Sequence, residues 1–466
     1  MRASESCASN VFSMAIVVSR FVPVRARGKA PRSRVPRFYP AGGEREREKL
    51  PTFPREKPSG AGQIDVVLSL AVASHLPDPK GEHGMGAASA RLQRLADRMI
   101  RSGMHRGVTL SMFDRDTGRE VHVGAGNLDS RTPYFATGVT KLFVTAILLQ
   151  LLEEQKIDFD MPVVHYLGNC AHCSELHVKD GVDRTGEVTI RHLMSHTSGF
   201  GDYFLYRMHA RRLRHEIAEG IDGAWNFEEV IQRTRSHGAV AAPGASKRAI
   251  YTDTNYHLLG RVIEQIEGKS FAQVVQTRVA ERLGLSSTYI YCDPADRHPM
   301  PPLSRRMQVH VPRTMTSFQA DSGLVTTSRE SLIFARGFFE GYLFDKRVLP
   351  RLYTWRPMFF PAEFGTGIMK VQAPWWLHLP YRMTFLPQRV LHKPPRLIGH
   401  FGFGGSTCFY APDLGVYVAG TVNQLSDPVR GIVFAVRGVE EMAGDIRQTQ
   451  LAALRAEPHD RRHPAE

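Results

Sequence analysis

A long apolar run that begins with a lysine constrains the fold of this chain more than any other feature. The run TKLFVTAILLQLL starts at Thr140, and nearly every residue through Gln150 is apolar. A helix that is apolar on all sides has to be buried, so the chain must build other elements around it. Lys141 then lies at the head of a buried helix, where an ammonium without partners is costly. Either it serves as a chemical base, or it reaches the surface along its aliphatic stem.

Length and charge limit the classes of protein to consider. The 466 residues allow two or three domains, or one large domain with tails. The net charge is +14, but residues 1–60 alone hold 13 Lys/Arg against 5 Asp/Glu, so the basic character lies mostly in the N-terminal segment. No basic-aromatic pattern or helix-turn-helix spacing favours a nucleic acid as partner. No apolar run reaches the roughly 18 residues of a membrane span.

Composition divides the chain into four predicted segments. Residues 1–62 are rich in Arg, Pro, Gly and Glu, and we expect this basic segment to be disordered. Residues 63–87 are a predicted linker, residues 88–442 the folded domain and residues 443–466 a C-terminal tail. The apolar stretch 11–19 and its Arg-rich surroundings are compatible with a signal peptide, a transit peptide or a wrongly assigned start. Cytoplasmic and exported locations therefore both remain open.

Within the folded domain, β-hairpins are predicted near both ends and helices between them. GVTLSMFDRDTGREVHVGAG contains two β-rich runs around the turn DRDTG, and STCFYAPDLGVYVAGTV contains two around PDLG. NYHLLGRVIEQIEG is a helical run in the middle, and PVRGIVFAVRGVEEMAG is the last predicted helix. We therefore predict an α/β fold of the α+β type, in which an antiparallel sheet is covered by helices and joined by a mainly helical subdomain.

One cysteine pair stands out among the five cysteines. Cys170 and Cys173 form C-A-H-C, with His165, His172 and His177 nearby. Such a set could bind zinc, but a structural zinc site usually has a second well-spaced pair of ligands, which this chain lacks. We therefore predict a surface loop with two thiols and no metal site. Five cysteines in this length also do not predict a disulfide framework.

Four sequence blocks occur in an order that matches a known superfamily. They are YFATGVTKLFVTAILLQLLEEQKIDFDMPVVHYL (134–167), RHLMSHTSGFGDYF (191–204), YTDTNYHLLGRVIEQIEGKSF (251–271) and IGHFGFGGSTCFYAPDLGVYVAGTVNQ (398–424). Together they resemble the serine β-lactamase/penicillin-binding-protein superfamily, in the branch of class C β-lactamases, D-Ala-D-Ala carboxypeptidases and related esterases. The resemblance covers about residues 88–442. It implies a β-lactamase/transpeptidase-like fold with one catalytic cleft and no cofactor.

The resemblance also implies three motifs around that cleft. In the family, the Ser of S-x-x-K attacks the acyl carbonyl and the Lys assists proton transfer, but here the motif reads Gly138-Val139-Thr140-Lys141. The family's Y-x-N reads Tyr251-Thr252-Asp253, and its K-T-G or H-x-G reads His400-Phe401-Gly402. The backbone N–H groups of Gly138 and Phe403 match the family's oxyanion hole.

Two departures from these motifs bear on catalysis. Gly138 has no side chain, so no acyl-enzyme forms there. Phe401 lacks the hydroxyl with which the family holds the substrate's carboxylate or carbonyl. On a helix, Thr137 and Thr140 point about 100° away from position 138, so neither is expected to replace the serine. In SHTSGF, the pair His196 and Ser198 fits a helix end better than a catalytic pair.

The candidate site residues follow from these matches. The catalytic candidates are Lys141, Tyr251, His400 and the nucleophile position Gly138, and the substrate-binding candidates are Asp253, Phe401, Gly402 and Phe403. A carboxylate at Asp253 could pair with Lys141. For Tyr251 and His400, a packed core position with satisfied polar atoms is the alternative interpretation.

These observations predict a β-lactamase-related protein with impaired catalysis. The alternatives are an active acyl hydrolase that uses another nucleophile, and a non-catalytic binding or assembly module. A small-molecule or peptide acyl compound is the expected substrate or ligand. If Gly138 alone disables the site, Gly138→Ser should restore some labelling by a fluorescent penicillin. The aromatic and Pro-rich stretch 375–395 is predicted to be a packed loop, and a loop at the cleft mouth or a partner surface is the alternative.

Overall fold

The structure is a computed structural model that describes residues 87–168, 170, 173–204, 210–372 and 394–456. The predicted disordered segment, nearly all of the predicted linker and residues 375–393 of the predicted aromatic loop lie outside the described residues. The proposed segment boundaries therefore remain a prediction.

The helices are numbered in chain order and bury most of their apolar residues. They are α1 (Ala87–Arg101), α2 (Thr140–Glu153), α3 (Ile190–Met194), α4 (Ala210–Ala218), α5 (Phe227–His237), α6 (Thr254–Glu267), α7 (Phe271–Val275), α8 (Glu281–Leu283), α9 (Pro312–Ser317), α10 (Gln319–Ser322), α11 (Ser328–Glu340) and α12 (Val429–Ala456). Helix α12 passes the predicted domain end at residue 442. No helix among the described residues is long and apolar enough to cross a membrane.

The strands are numbered in the same way. They are β1 (Gly107–Asp114), β2 (Glu120–Gly126), β3 (Tyr134–Phe135), β4 (Val178–Lys179), β5 (Val182–Asp183), β6 (Tyr289–Ile290), β7 (Leu303–Ser304), β8 (Met307–Gln308), β9 (Leu324–Thr326), β10 (Arg356–Phe359), β11 (Ala362–Phe364), β12 (Met369–Val371), β13 (Leu397–Phe401), β14 (Ser406–Ala411) and β15 (Val416–Thr421).

Eight of these strands form one antiparallel sheet in the order β10-β11-β12-β13-β14-β15-β1-β2. Both predicted hairpins are confirmed: Met112 of β1 pairs with Val121 of β2, and Phe409 of β14 pairs with Val418 of β15. The two hairpins lie side by side, because β1 also pairs with β15. The predicted fold class, an antiparallel sheet covered by helices, is confirmed.

Helices cover both faces of the sheet. On one face, α1 and α12 pack against β1, β14 and β15 around residues such as Leu92 and Phe434. On the other face, α11 lies between the sheet and α2, where the rings of Phe334 and Phe143 stack 3.7 Å apart. The predicted burial of α2 is confirmed, because its residues from Thr140 through Leu151 are all buried.

The candidate motifs come together where the start of α2 contacts β13 and α6. The 3₁₀ turn Thr137–Val139 leads into α2 and contacts both β13 and β14. Helix α6 begins one residue after Asp253 and packs against α2. Three segments that lie far apart in sequence thus place the three motifs beside each other.

Candidate active site

The nucleophile position is closed by backbone. Gly138 lies in the 3₁₀ turn before α2, and Thr137 before it adopts a left-handed φ of 45°. A Cβ atom added to Gly138 would lie 2.7 Å from the carbonyl oxygen of Phe401 and 3.3 Å from Cε1 of His400. Contacts below 3.0 Å to backbone are not tolerated without a shift. The end of β13 therefore occupies the space that a side chain at position 138 would need.

The hydroxyls of Thr137 and Thr140 hold the turn around Gly138 together. Thr140 Oγ1 donates to the carbonyl of Thr137 at 2.6 Å and accepts from the backbone N–H of Leu324 at 3.1 Å. Thr137 Oγ1 accepts from the N–H of Gly404 at 3.4 Å and lies 3.4 Å from Ser406 Oγ. Each hydroxyl is buried and already bonded, as expected for structural side chains.

Lys141 is fully buried and enclosed by four groups. Its Nζ lies 2.8 Å from Asp253 Oδ1 and donates to the backbone carbonyl of Asp321 at 2.8 Å. The rings of Tyr251 and Tyr256 lie 5.3 and 5.2 Å from Nζ, within cation–π range. The aliphatic stem does not carry this lysine to the surface, and the ion pair anticipated between Lys141 and Asp253 is present.

The Asp253 carboxylate also offsets the unfavourable interaction between Lys141 and the dipole of α2. Lys141 lies in the first turn of α2, where the helix dipole is positive and a cation is destabilised. Asp253 immediately precedes α6, at whose N-terminus an anion is stabilised. The Asp253 carboxylate therefore interacts favourably with Lys141 at the start of α2 and with the N-terminus of α6.

Tyr251 is held in its phenol form. Burial, followed by the charges of Asp253, Asp321 and Asp202, raises the pKa of Tyr251 well above its ordinary value of 10.0. A phenol that resists ionisation is a poor proton acceptor. Tyr251 therefore keeps its proton at neutral pH.

His400 is a neutral imidazole with one bonded nitrogen. Its Nδ1 lies 2.7 Å from the carbonyl oxygen of Phe401, and because a carbonyl only accepts, Nδ1 carries the proton. No described residue bonds to its buried Nε2. Burial, and then the charge of Lys141, lowers the pKa of His400 to about 3. The ring therefore stays uncharged at neutral pH and offers no cation to a substrate carboxylate.

The remaining third-motif residues give the cleft an aromatic edge. The half-buried ring of Phe401 meets Phe359 edge to face, with 6.1 Å between centroids. Phe403 meets Phe204 in the same way at 6.2 Å. Gly402 has to be glycine, because a Cβ atom there would lie 2.0 Å from Thr137 Oγ1. These positions offer apolar surface where the resemblance led us to expect a hydroxyl.

Sequence analysis missed two residues that shape the site. Asp321 is buried, contacts Lys141 through its carbonyl and accepts from Tyr203 Oη at 2.7 Å, with His257 Nε2 at 3.4 Å. His196 follows the end of α3, as predicted, and its ring also lies 4.4 Å from that of Tyr251. The stretch SFQADSG around Asp321 carries no sequence signal of this role.

The C-A-H-C motif differs from its prediction. Cys170 and Cys173 are joined in a disulfide, with their Cα atoms 5.3 Å apart, rather than remaining as two thiols. His177 is buried, and its Nε2 is hydrogen-bonded to the carbonyl of Ala241 at 2.9 Å. This ring nitrogen is therefore already engaged and is not free to bind a metal. Over the described residues, no group of three or more His, Cys, Asp or Glu side chains could hold a metal ion.

Comparisons with known proteins show the family and the fold. The family profile described as Beta-lactamase matches residues 96–436, which is most of the chain. The D-amino acid amidase from Ochrobactrum anthropi, in complex with L-phenylalanine amide, superposes with a TM-score of 0.60 at 17% identity. That match covers 78% of this chain and 99% of the amidase, and at this identity it shows a shared fold.

Two curated relatives match part of the chain. Monacolin J acid methylbutanoyltransferase from Aspergillus terreus is 32% identical over 165 residues, which is 33% of this chain and 37% of the relative. Esterase EstB from Burkholderia gladioli is 29% identical over 176 residues, which is 37% of this chain and 41% of the relative. The matched part thus spans less than half the length of either relative.

Proposed function

Since the chain belongs to the β-lactamase family, we propose that it binds a small acyl compound in the family's cleft without forming an acyl-enzyme. The observation that carries this proposal is the closed space at Gly138, where a first side-chain carbon would lie 2.7 Å from the Phe401 carbonyl oxygen. A position with no nucleophile and no room for one cannot begin covalent catalysis. Losing such a nucleophile typically lowers kcat on the order of a million-fold.

The state of the proton-relay candidates supports the same proposal. Lys141 is fully enclosed by Asp253, the Asp321 carbonyl and two tyrosine rings. Burial and nearby carboxylates raise the pKa of Tyr251, which keeps its proton in place. A tyrosine that keeps its proton near neutral pH is not available as a general base, although its ring still shapes the site.

The ligand class rests on the cleft's surface and on the relatives. Phe401 and neutral His400 provide no charge for a carboxylate, so an uncharged acyl compound fits better than a penicillin or a peptide with a free carboxyl end. The relatives are named for transfer of a methylbutanoyl group and for ester hydrolysis. A small ester or amide with an apolar acyl group is the ligand we expect, and a peptide acyl compound is the second choice.

Activity-based labelling tests the proposal. Purified wild-type protein is treated with a fluorescent penicillin and with a fluorescent fluorophosphonate, and the bound label is quantified on a denaturing gel. We expect no stoichiometric label with either probe. Stoichiometric labelling at any residue would overturn the proposal, and mass spectrometry of the labelled peptide would then identify the nucleophile.

The Gly138→Ser variant sharpens that test. The sequence predicts that this change restores some labelling, whereas the structure predicts little, because Cβ would strike the Phe401 carbonyl. The double change Gly138→Ser and Phe401→Ser tests whether the missing hydroxyl at 401 also limits the site. If Gly138→Ser alone labels fully and folds as stably as wild type, then β13 moves aside readily and does not close position 138.

The second candidate, an active acyl hydrolase, needs another nucleophile. Thr137 and Thr140 flank the position in sequence, Ser406 Oγ lies 3.4 Å from Thr137 Oγ1, and hydrogen bonds engage all three hydroxyls. No observation at the cleft therefore favours turnover over binding.

A further inference from the structure

The Cys170–Cys173 disulfide lies apart from the cleft and is exposed on one side. Cys170 is partly exposed, whereas Cys173 is only 5% exposed and belongs to the main hydrophobic core cluster. Only two residues separate the cysteines, so the bond closes a very short loop. A short loop restricts the unfolded chain least, and such a bond stabilises a fold less than a long-range disulfide does. A role as a structural staple therefore accounts poorly for this bond.

A cavity of about 620 Å³ opens beside Cys170. Three aromatic side chains line it, namely Trp225, Phe227 and Phe271. The face of α6 supplies His257, Arg261 and Glu264. Arg261 Nη1 lies 3.3 Å from Glu264 Oε2, so these two charges offset each other on the wall. Glu228, Asn226 and Gln319 also line the cavity, so aromatic surface and polar groups lie together beside Cys170, and the lining has one more acidic than basic residue.

The two sulfurs differ in what can reach them. A thiolate attacks a disulfide along the S–S axis, opposite the sulfur that leaves. Cys170 lines the cavity, while Cys173 is buried behind it in the core. An attacking thiol in the cavity therefore meets Cys170, and Cys173 is the leaving group. This arrangement, with one accessible and one buried cysteine, suits reversible thiol–disulfide exchange.

We propose that Cys170–Cys173 is a redox-active disulfide whose partner is a small thiol with an apolar or aromatic body, bound in the adjoining cavity. The thiolate of the partner attacks Cys170 Sγ, and the bond to Cys173 Sγ breaks. Cys173 leaves as a thiolate and takes a proton from solvent. A second partner thiolate attacks the partner's sulfur in the mixed disulfide and releases Cys170. Overall, one protein disulfide and two thiols give one protein dithiol and one oxidised partner, a two-electron exchange.

Rates of reduction test the proposal on the wild-type protein. The folded protein is treated with benzyl mercaptan or with 2-mercaptoethanol at equal thiolate concentration, quenched by alkylation and analysed by mass spectrometry. We expect benzyl mercaptan to reduce the disulfide about tenfold faster, because the aromatic walls hold it beside Cys170. Equal rates for the two thiols would overturn the role of the cavity. A disulfide that yields to neither thiol until the protein unfolds would overturn the proposal as a whole.

Two single-cysteine variants test which sulfur is attacked. Cys173→Ser leaves Cys170 as the free thiol, and Cys170→Ser leaves Cys173. With dibenzyl disulfide as probe, we expect the Cys173→Ser protein to form a mixed disulfide about tenfold faster, because reactivity follows exposure. Cys7→Ser and Cys292→Ser are made in both backgrounds, since Cys292 is an exposed free cysteine and Cys7 is a further cysteine outside the described residues. Equal rates, or faster capture in Cys170→Ser, would contradict the assigned direction of attack.

A variant of the cavity wall separates binding of the thiol in the cavity from general access of thiols to the disulfide. Phe227→Ala removes one aromatic wall at the first residue of α5, and Tyr342→Ala removes an aromatic side chain that is 48% exposed and does not line the cavity. We expect Phe227→Ala to lower the rate with benzyl mercaptan but not with 2-mercaptoethanol, and Tyr342→Ala to change neither. A loosened structure would instead raise both rates, which would count against the cavity.

Discussion

Helix α2 has an ion pair at each end, and the two ends differ in burial. At its start, the side chain of Lys141 is 0% exposed and that of Asp253 is 10% exposed. Past its end, Glu154 is bound by Arg278 and by Lys156, and the side chains of Glu154 and Lys156 are 40% and 45% exposed. Similar charged groups therefore form ion pairs at both ends of α2. Water competes for these groups only at the exposed end, around Glu154.

The difference shows what burial does to a family motif. At the exposed end, solvation and side-chain entropy offset most of the attraction, and such pairs contribute about 0–1 kcal/mol. At the buried end, a lysine that loses its partner, or an aspartate that loses its lysine, is left as an uncompensated charge. Lys141 lies where the resemblance predicts a catalytic lysine, and its contacts make it part of the core.

Removing Lys141 is the strongest test of this contrast. Lys141→Met keeps the length of the side chain but leaves Asp253 unpaired, and we expect a loss of about 3–5 kcal/mol in the free energy of unfolding. Lys156→Met at the other end should cost less than about 1 kcal/mol. Urea denaturation followed by circular dichroism measures both.

A double variant checks the cause. Adding Asp253→Asn to Lys141→Met removes the orphaned charge and should recover part of the loss. Equal, small losses at both ends of α2 would show that burial does not distinguish the two pairs.

Adding one carbon at Gly138 tests whether the start of α2 is as tightly closed as its contacts indicate. Gly138→Ala places Cβ against the Phe401 carbonyl, and overpacking of this kind costs about 1–3 kcal/mol. Gly186→Ala is the matched control, because nothing lies within 4 Å of a Cβ atom at Gly186. The control should stay within about 0.5 kcal/mol of wild type. A Gly138→Ala protein as stable as its control would show that β13 adapts at little cost.

The pH dependence of the free energy of unfolding should differ for groups near the two ends of α2, because His400 and Glu154 titrate in different pH ranges. The folded pKa of His400 is about 3, below its ordinary 6.5, so the unfolded chain binds the proton first as the pH falls. Stability from this group is complete above pH 6.5 and is lost as the pH falls towards 3, by about 1.4 kcal/mol per unit. At the far end, Arg278 lowers the pKa of Glu154 from 4.5 to about 2, so its loss begins only below pH 4.5.

A His400→Gln variant isolates the first window. Between pH 6.5 and 4.5, chemical denaturation should show a shallower loss of stability for His400→Gln than for wild type. A variant whose slope matches wild type in this interval would mean that His400 takes up its proton in the folded state. In that case the neutral imidazole proposed for the cleft would be wrong.

Local patterns predicted much of the fold. The turns DRDTG and PDLG each join two β-rich runs, and hairpin pairing follows from turn chemistry and alternation over a few residues. The burial of α2 followed from its uniformly apolar composition. The order of four blocks identified the superfamily and placed Lys141, Tyr251 and His400 near one another.

Contacts between distant segments escaped prediction. Asp321 reaches Lys141 across 180 positions of sequence, and the Phe401 carbonyl closes the space beside Gly138 from a strand more than 250 positions away. The sequence gives no signal for either contact, because every residue has a backbone carbonyl and aspartate is a common residue. The disulfide was missed for a related reason, since two cysteines at this spacing are equally compatible with thiols, a metal site or a bond.

The sequence by itself determined that this chain has the β-lactamase fold, that its first motif keeps a lysine and that a serine is absent from position 138. The tertiary structure decided what surrounds that position. Steric space and charge compensation depend on atoms brought together from separate segments, so only the folded chain shows the end of β13 filling the space beside Gly138 and Asp253 and Asp321 enclosing Lys141.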